Sequence, residues 1–259
     1  MKVRDIMSTE LVTVDKDRNL KDVLQVMRDN NVTKVPVTEN GRLVGIVTDG
    51  KIADKLGRAH NRAVQTTTLH ASSVMEKNFI IAHPDELLSV LLGDVGKPGV
   101  TMVPVVQGDH LVGVVTKADL LRLVDSSAPI ETLMKTELQS VGPDERIVHA
   151  RRLLLDHDIA RLPVLEGGQV LGIIAEHEIA NAFAQLKEAD TSVQKASIRD
   201  LQVGPHMVSN VVTAPAGMSA RDAAKLMLDR HVGGLPVVTE RGQIQGIVTR
   251  TDLIRTVAA

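Results

Sequence analysis

One phrase occurs four times along the 259 residues, and that repetition narrows the folds open to the chain. It is clearest at Gly113-Val114-Val115-Thr116-Lys117-Ala118-Asp119-Leu120-Leu121 and at Gly246-Ile247-Val248-Thr249-Arg250-Thr251-Asp252-Leu253-Ile254. Weaker copies lie at Gly45-Ile46-Val47-Thr48-Asp49-Gly50-Lys51-Ile52 and Gly172-Ile173-Ile174-Ala175-Glu176-His177-Glu178-Ile179. A proline followed by valine precedes each copy, at Pro36, Pro104, Pro163 and Pro236. The glycine follows the proline by nine positions in three copies (36 to 45, 104 to 113, 163 to 172) and by ten in the fourth (236 to 246). Chance does not hold such a frame four times.

Each copy closes a small unit of the same parts. In the first, Leu11 to Val14 is a short strand candidate and Asp15 to Asn19 a polar turn. Leu20, Val23, Leu24 and Met27 fall at i, i+3, i+4 and i+7, the stripe of an amphipathic helix. Lys34 to Thr38 reads as a strand, Glu39-Asn40-Gly41 as a hairpin turn, and Arg42 to Val47 as the return strand. A second helix is expected from about Thr48 to just before Gly57. The expected fold is therefore mixed α/β, with β-α-β-β-α units at 1–57, 72–124, 129–184 and 197–257. The second unit should carry a helix from Glu86 to Leu92 and then a looser loop, Gly93 to Gly99. Helix stripes recur as Ile147, Ala150, Leu154 and as Ala220, Ala223, Ala224, Met227. A unit this small buries too little surface to stand alone. Units one and two should pack as a pair, and three and four as another, with the pairs meeting again within the chain or across a homodimer.

Composition removes several function classes. Net charge is only −2, so no strong field draws nucleic acid or an anionic membrane. Aromatics are 1%, Phe79 and Phe183 alone, so the core is aliphatic and stacking platforms for single-stranded nucleic acid are missing. Cysteine is absent, which excludes disulfides and thiolate metal sites and favours a cytoplasmic location. Charge or glycine interrupts every long apolar stretch, so no membrane-spanning helix is expected.

The Thr-x-x-Asp of the phrase supports two readings. A strand delivers the chain to a helix N-terminus, where free N–H groups and the helix dipole favour an anion such as phosphate. The carboxylate in the first turn accepts hydrogen bonds only, and suits both hydroxyls of a ribose. The same pattern is also a capping box, a purely structural helix start. Both hold at once if Thr caps while Asp reaches outward.

The whole pattern resembles the cystathionine-beta-synthase (CBS) domain family. The resemblance rests on Asp5-Ile6-Met7, echoed by Ser73-Val74-Met75 and Thr132-Leu133-Met134, on the Pro-Val strand and on the Gly-to-Asp phrase. It covers nearly the whole chain. It implies two Bateman modules, each a pair of repeats with two clefts, arranged as in the gamma subunit of AMP-activated protein kinase. It also implies a stand-alone regulatory protein that binds an adenosyl ligand (AMP, ADP, ATP, S-adenosylmethionine or NAD) and needs no other cofactor. Carried over by position, the cleft of Thr116, Lys117 and Asp119 would be completed by Val12, Thr13, Thr33, Lys34 and Val35. The cleft of Thr249, Arg250 and Asp252 would be completed by Ser140, Val141, Ala160, Arg161 and Leu162. Arg161 and Arg250, or Lys34 and Lys117, are the phosphate partners this implies, against the commoner fate of such residues as solvated surface.

The other two copies break the pattern. Lys51 stands where the ribose carboxylate belongs and cannot accept hydrogen bonds. Ala175 replaces Thr in unit three, and Glu178 replaces Asp on a longer stem. One competent site per module is expected. No nucleophile, acid/base pair or metal-ligand spacing stands out, so the chain does not read as an enzyme. His157 between Asp156 and Asp158 reads as a solvated helix end, and Gly233-Gly234 as a place where something approaches the backbone closely. The competing function is a ligand-independent scaffold for an effector protein.

Overall fold

The computed structural model describes residues 1–57, 65–95, 102–188 and 198–258. Unit one contains β1 (Val14–Asp15), α1 (Leu20–Asp29), β2 (Lys34–Glu39), β3 (Arg42–Thr48) and α2 (Asp49–Gly57). Unit two contains α3 (Leu88–Val95), β4 (Met102–Gln107), β5 (His110–Thr116) and α4 (Lys117–Leu121). Unit three contains α5 (Ile147–Asp156), β6 (Arg161–Glu166), β7 (Gln169–Ala175) and α6 (Glu176–Glu188). Unit four contains α7 (Ala220–Asp229), β8 (Gly234–Val238), β9 (Ile244–Thr249) and α8 (Arg250–Ala258).

The helix stripes are the buried faces. Leu20, Val23, Leu24 and Met27 of α1 are almost wholly buried, as are Ile147, Ala150 and Leu154 of α5 and Ala220, Ala223, Ala224 and Met227 of α7. The Asn19 side chain caps α1 by accepting from Asp22 N at 2.9 Å. Asn40 and Gly41 turn the first hairpin with positive φ, as the Asn-Gly pair requires. Helix α3 begins and ends later than its pattern implied. It includes Gly93 to Val95, and the rest of the expected loop, Gly96 to Gly99, lies outside the described residues.

The first strand is shorter than Leu11 to Val14. Only Val14 and Asp15 join β2, in parallel, and in units two to four it shrinks to one bridge: Ala82 with Val105, Val141 with Val164, Ala214 with Val237. The repeated proline sets this limit. Its carbonyl accepts from the first strand (Ala82 N to Pro104 O at 2.9 Å, Ala214 N to Pro236 O at 3.0 Å). One step earlier the parallel ladder needs the proline's own N–H, which does not exist.

Pairing of the repeats explains the glycine. The short lead-in of each unit crosses to its partner and lies antiparallel to the return strand. Ser8 bridges Val114, Glu76 bridges Ile46, Lys135 bridges Ile247 and Val208 bridges Ile173. The methionine before each bridge sits on the partner's glycine. A β-carbon on Gly113 would lie 2.6 Å from Met7 Sδ, on Gly45 2.7 Å from Met75 Sδ, on Gly246 2.7 Å from Met134 Sδ, and on Gly172 2.5 Å from Met207 Sδ. Met207, reached through Gly204-Pro205-His206, lacks the Asp-Ile-Met spelling and escapes a sequence search.

The two modules meet within the chain. One core joins units one and three, with Val35, Val37, Ile52 and Leu56 beside Ile147, Leu162, Ile174 and Phe183. The other joins units two and four, with Val103, Val105, Leu120 and Leu121 beside Leu235, Val237, Leu253 and Ile254. Helix α2 packs on α6, and α4 on α8. The units thus close a ring: one to two, two to four, four to three, three to one. Lead-ins contribute to the partner's core, Val3 to the second and Val74 and Val203 to the first, so the pair is the smallest unit with a complete interior. Beta strands run β1-β2-β3-β5-β4 in the first module, whereas β6-β7 and β8-β9 stay as separate two-stranded sheets. Among the described residues no helix is long and apolar enough to cross a membrane.

Candidate functional site

Ring closure brings the four copies of the phrase together at α2–α6 and α4–α8. In unit two the Thr-x-x-Asp is a formed capping box, and in unit four its carboxylate half is in place. Asp119 Oδ2 accepts from Thr116 N at 2.8 Å and Thr116 Oγ1 at 2.7 Å. Asp252 Oδ2 accepts from Thr249 N at 2.9 Å and Thr249 Oγ1 at 2.6 Å. The structural role therefore occupies one carboxylate oxygen. The other points out of the helix: Asp119 Oδ1 accepts from Ser8 Oγ of unit one at 3.1 Å, and Asp252 Oδ1 lies 3.9 Å from Arg255. The helix start thus leaves one oxygen of each carboxylate, Oδ1, outside the cap. Both aspartates are 4–5% exposed.

The broken copies differ in kind. Glu178 still caps, its Oε2 accepting from Ala175 N at 3.0 Å. At Lys51 only the threonine half of the cap survives, Lys51 N donating to the Thr48 hydroxyl oxygen at 3.1 Å. Lys51 Nζ instead faces Glu76 Oε1 of unit two at 3.7 Å. Glu76 occupies the register position of Ser8, so the charges at this cleft are exchanged across the pair.

A profile of the CBS domain matches residues 3–58, 71–126, 130–185 and 198–259. The chain belongs to the CBS domain family. A relative from Methanocaldococcus jannaschii, the uncharacterised protein MJ1225, is 26% identical over 273 residues, 95% of each chain. The crystal structure of that protein, described as a proposed archaeal homologue of g-AMPK, superposes with a TM-score of 0.85 at 24% identity, over 98% of this chain and 99% of the other. An uncharacterised conserved protein from Pyrococcus horikoshii gives a TM-score of 0.63 at 20% identity, over 99% and 100% of the two chains. These two likenesses concern the four-CBS fold alone. YhcV of Bacillus subtilis, a CBS domain-containing protein, is 30% identical over 125 residues, 48% of this chain and 81% of its own.

Each of the four CBS repeats starts one element with a cation, and Lys34 and Arg161 act on Lys117 as Arg250 does on Arg161. Lys34 opens β2, Lys117 opens α4, Arg161 opens β6 and Arg250 opens α8. Lys117 Nζ crosses from unit two to donate to Thr251 Oγ1 of unit four at 2.7 Å, with only 6% of the residue exposed. Arg161 crosses from unit three to lie against Gly233 and Gly234 of unit four, where a β-carbon would strike its guanidinium. Arg250 Nε donates to Val232 O at 3.2 Å, and the charge of Asp119 reaches it from unit two. Burial lowers the Lys117 ammonium to about 8, and the nearby charges of Lys34 and Arg161 push the same way. Burial likewise lowers Arg161 to about 10, with Arg250 adding to the effect. Burial is the first cause in all four, Lys34 and Arg250 included, and the carboxylates of Asp49, Glu176, Asp252 and Asp119 offset part of it, so an added anion would meet cations that are desolvated and only partly paired.

The remaining residues assigned from sequence divide by burial. Thr13, Thr33 and Ala160 are exposed, and Val12 and Ser140 are half-buried beside the clefts. The side chains of Val35, Val141 and Leu162 are buried in the unit-one and unit-three core and leave only backbone to a ligand. Sequence reasoning missed Asp49, Glu176 and Thr251. The missed signal is the position after the phrase's third apolar-or-Thr turn residue, which reads Asp49, Lys117, Glu176, Arg250: acid and base in alternation. Because unit one meets three, that alternation puts Asp49 and Glu176 on the two sides of one junction; at the other, Lys117 reaches Thr251 beside Arg250.

Proposed function

We propose that this CBS protein is a regulatory sensor of adenosyl nucleotides, with competent sites at the Asp119 and Asp252 clefts and a shared phosphate locus at the ring centre. The observation that carries the reading is the convergence of Lys34, Lys117, Arg161 and Arg250, one from each repeat, beside two clefts that each present a carboxylate oxygen. The ribose hydroxyls donate to Asp119 Oδ1 or Asp252 Oδ1. Each such bond to a charged group contributes about 1.5–3 kcal/mol. The phosphates turn inward to the cations, and their charge relieves the mutual repulsion of Lys117, Lys34 and Arg161. The Lys51 cleft has a lysine where the acceptor carboxylate would stand, and the Glu178 cleft is the weaker of the rest. Ligand-driven repacking of α4 on α8 is the signal an effector protein reads, and the site works without an added cofactor.

Calorimetry with AMP, ADP, ATP, S-adenosylmethionine, NAD and plain adenosine tests this. About two sites per chain are expected, with affinity rising from adenosine to the phosphorylated ligands and falling with salt. Four equivalent sites, or no binding by any of the six, would sink the reading, the latter in favour of a ligand-independent scaffold.

A further inference from the structure

The acidic junction is the counterpart of the basic one, and the nucleotide reading leaves it unused. Asp49 is the first residue of α2 and Glu176 the first of α6. Their carboxylates converge on Gly50. Asp49 Oδ1 accepts from Gly50 N at 2.9 Å, and a β-carbon on Gly50 would lie 2.5 Å from Glu176 Oε1. Asp49 is 5% exposed. The pair sits at the closest approach of units one and three, where α2 packs along α6 down to Gly57 against Phe183.

We propose that the Asp49 and Glu176 carboxyl groups, buried together at Gly50, each hold a proton across the α2–α6 junction in mild acid, and that loss of these protons loosens units one and three, so the ring is a pH-responsive assembly. Two carboxylates held this close by different helices cannot both be charged without large mutual repulsion. Arg151 of α5, paired with Asp54 of α2 at 2.5 Å, lines the same hollow as Gly50 and Glu176. Lys34 at the start of β2 and Arg161 at the start of β6 attract both carboxylates; Glu178 on α6 repels Asp49, and Asp158 after α5 repels Glu176. Burial outweighs the cations and raises Asp49 to about 6. Burial, then Asp49 itself, raises Glu176 to about 7. An unfolded carboxyl group titrates near 4. Between about pH 4 and 7 the folded chain therefore holds protons the unfolded chain has released. Stability is greatest at the acid end of that window and falls as pH rises through it.

Carboxyl-carbon NMR of the unaltered protein, in the absence of any nucleotide, tests the pair directly. Coupled titrations of Asp49 and Glu176 with midpoints above pH 5.5 are expected; ordinary titration near pH 4 for both overturns the proposal. Thermal unfolding of Glu176→Gln and Asp49→Asn adds the energetic arm. The wild-type unfolding constant should rise up to tenfold per pH unit for each proton held, between pH 5 and 7. Glu176→Gln should flatten that slope, raise the midpoint at pH 8, and slow hydrogen exchange in α2 and α6 there. Superimposable slopes for wild type and both variants overturn it. The readout needs no ligand, so it stands or falls separately from the nucleotide reading.

Discussion

Met7 rests on Gly113 of the neighbouring repeat, with its sulfur where a β-carbon at position 113 would have to be. The contact recurs in all four units, and makes glycine obligatory for pairing rather than for backbone freedom, since none of the four has positive φ. Gly113→Ala should therefore cost about 1–3 kcal/mol by overpacking. For a chain of this size that lowers the thermal midpoint by about 2–4 °C per kcal/mol. Combining it with Met7→Ala should restore part of the loss, and a double-mutant cycle by thermal unfolding measures the coupling.

Asp119 serves as both cap and ligand acceptor, and two substitutions separate the roles. Asp119→Ala removes both and should cost about 0.5–2 kcal/mol of stability. Asp119→Asn keeps a carbonyl oxygen for Thr116 N but removes the charge. It should leave the midpoint nearly unchanged while weakening nucleotide binding by about tenfold to a hundredfold. Calorimetry beside thermal unfolding reads the two effects; equal affinity for Asp119→Asn and wild type would leave Asp119 as a cap only.

Lys117 should give the basic junction its own pH signature. Its pKa of about 8 lies below the ordinary lysine value, so between about pH 8 and 10.5 the unfolded chain binds more protons than the folded one. This group's contribution to stability therefore increases as pH rises through that window. Lys117→Met should abolish the increase and raise the midpoint at pH 7.5, where a buried cation is replaced by an apolar chain. The same variant should lose affinity for ATP more than for adenosine.

Phe183 is wholly buried where α6 meets α2, against Gly57. Phe183→Ala should cost about 3–5 kcal/mol, a large fraction of the stability of a typical domain. The measurable consequence is early unfolding of units one and three together, seen as loss of hydrogen-exchange protection in α2 and α6 ahead of α4 and α8.

Much of the fold is legible without coordinates because its rules are local. The stripe Leu20-Val23-Leu24-Met27, the Asn40-Gly41 turn and the Pro36-to-Gly45 frame each express a periodicity or a backbone preference within a few residues. The caps at Asp119 and Asp252 were equally legible, but their geometry commits one oxygen to the helix, a detail that spacing alone does not carry. The extent of the first strand was misread because Pro36 acts on a strand some twenty residues away, through the hydrogen bond it cannot donate.

From sequence alone followed the unit, its number, its pairing partner and the places where Lys51 and Glu178 break the pattern. Tertiary structure decided which units meet across the ring, and with that the meaning of Asp49, Lys117, Glu176 and Arg250. Each is an ordinary first-turn residue on its own helix. Packing α2 on α6 sets Asp49 beside Glu176, and packing α4 on α8 sends Lys117 to Thr251, across more than a hundred residues of chain. Local periodicity specifies which face of an element is apolar. Which two apolar faces find each other, and what charges they carry together, depends on closing the whole ring.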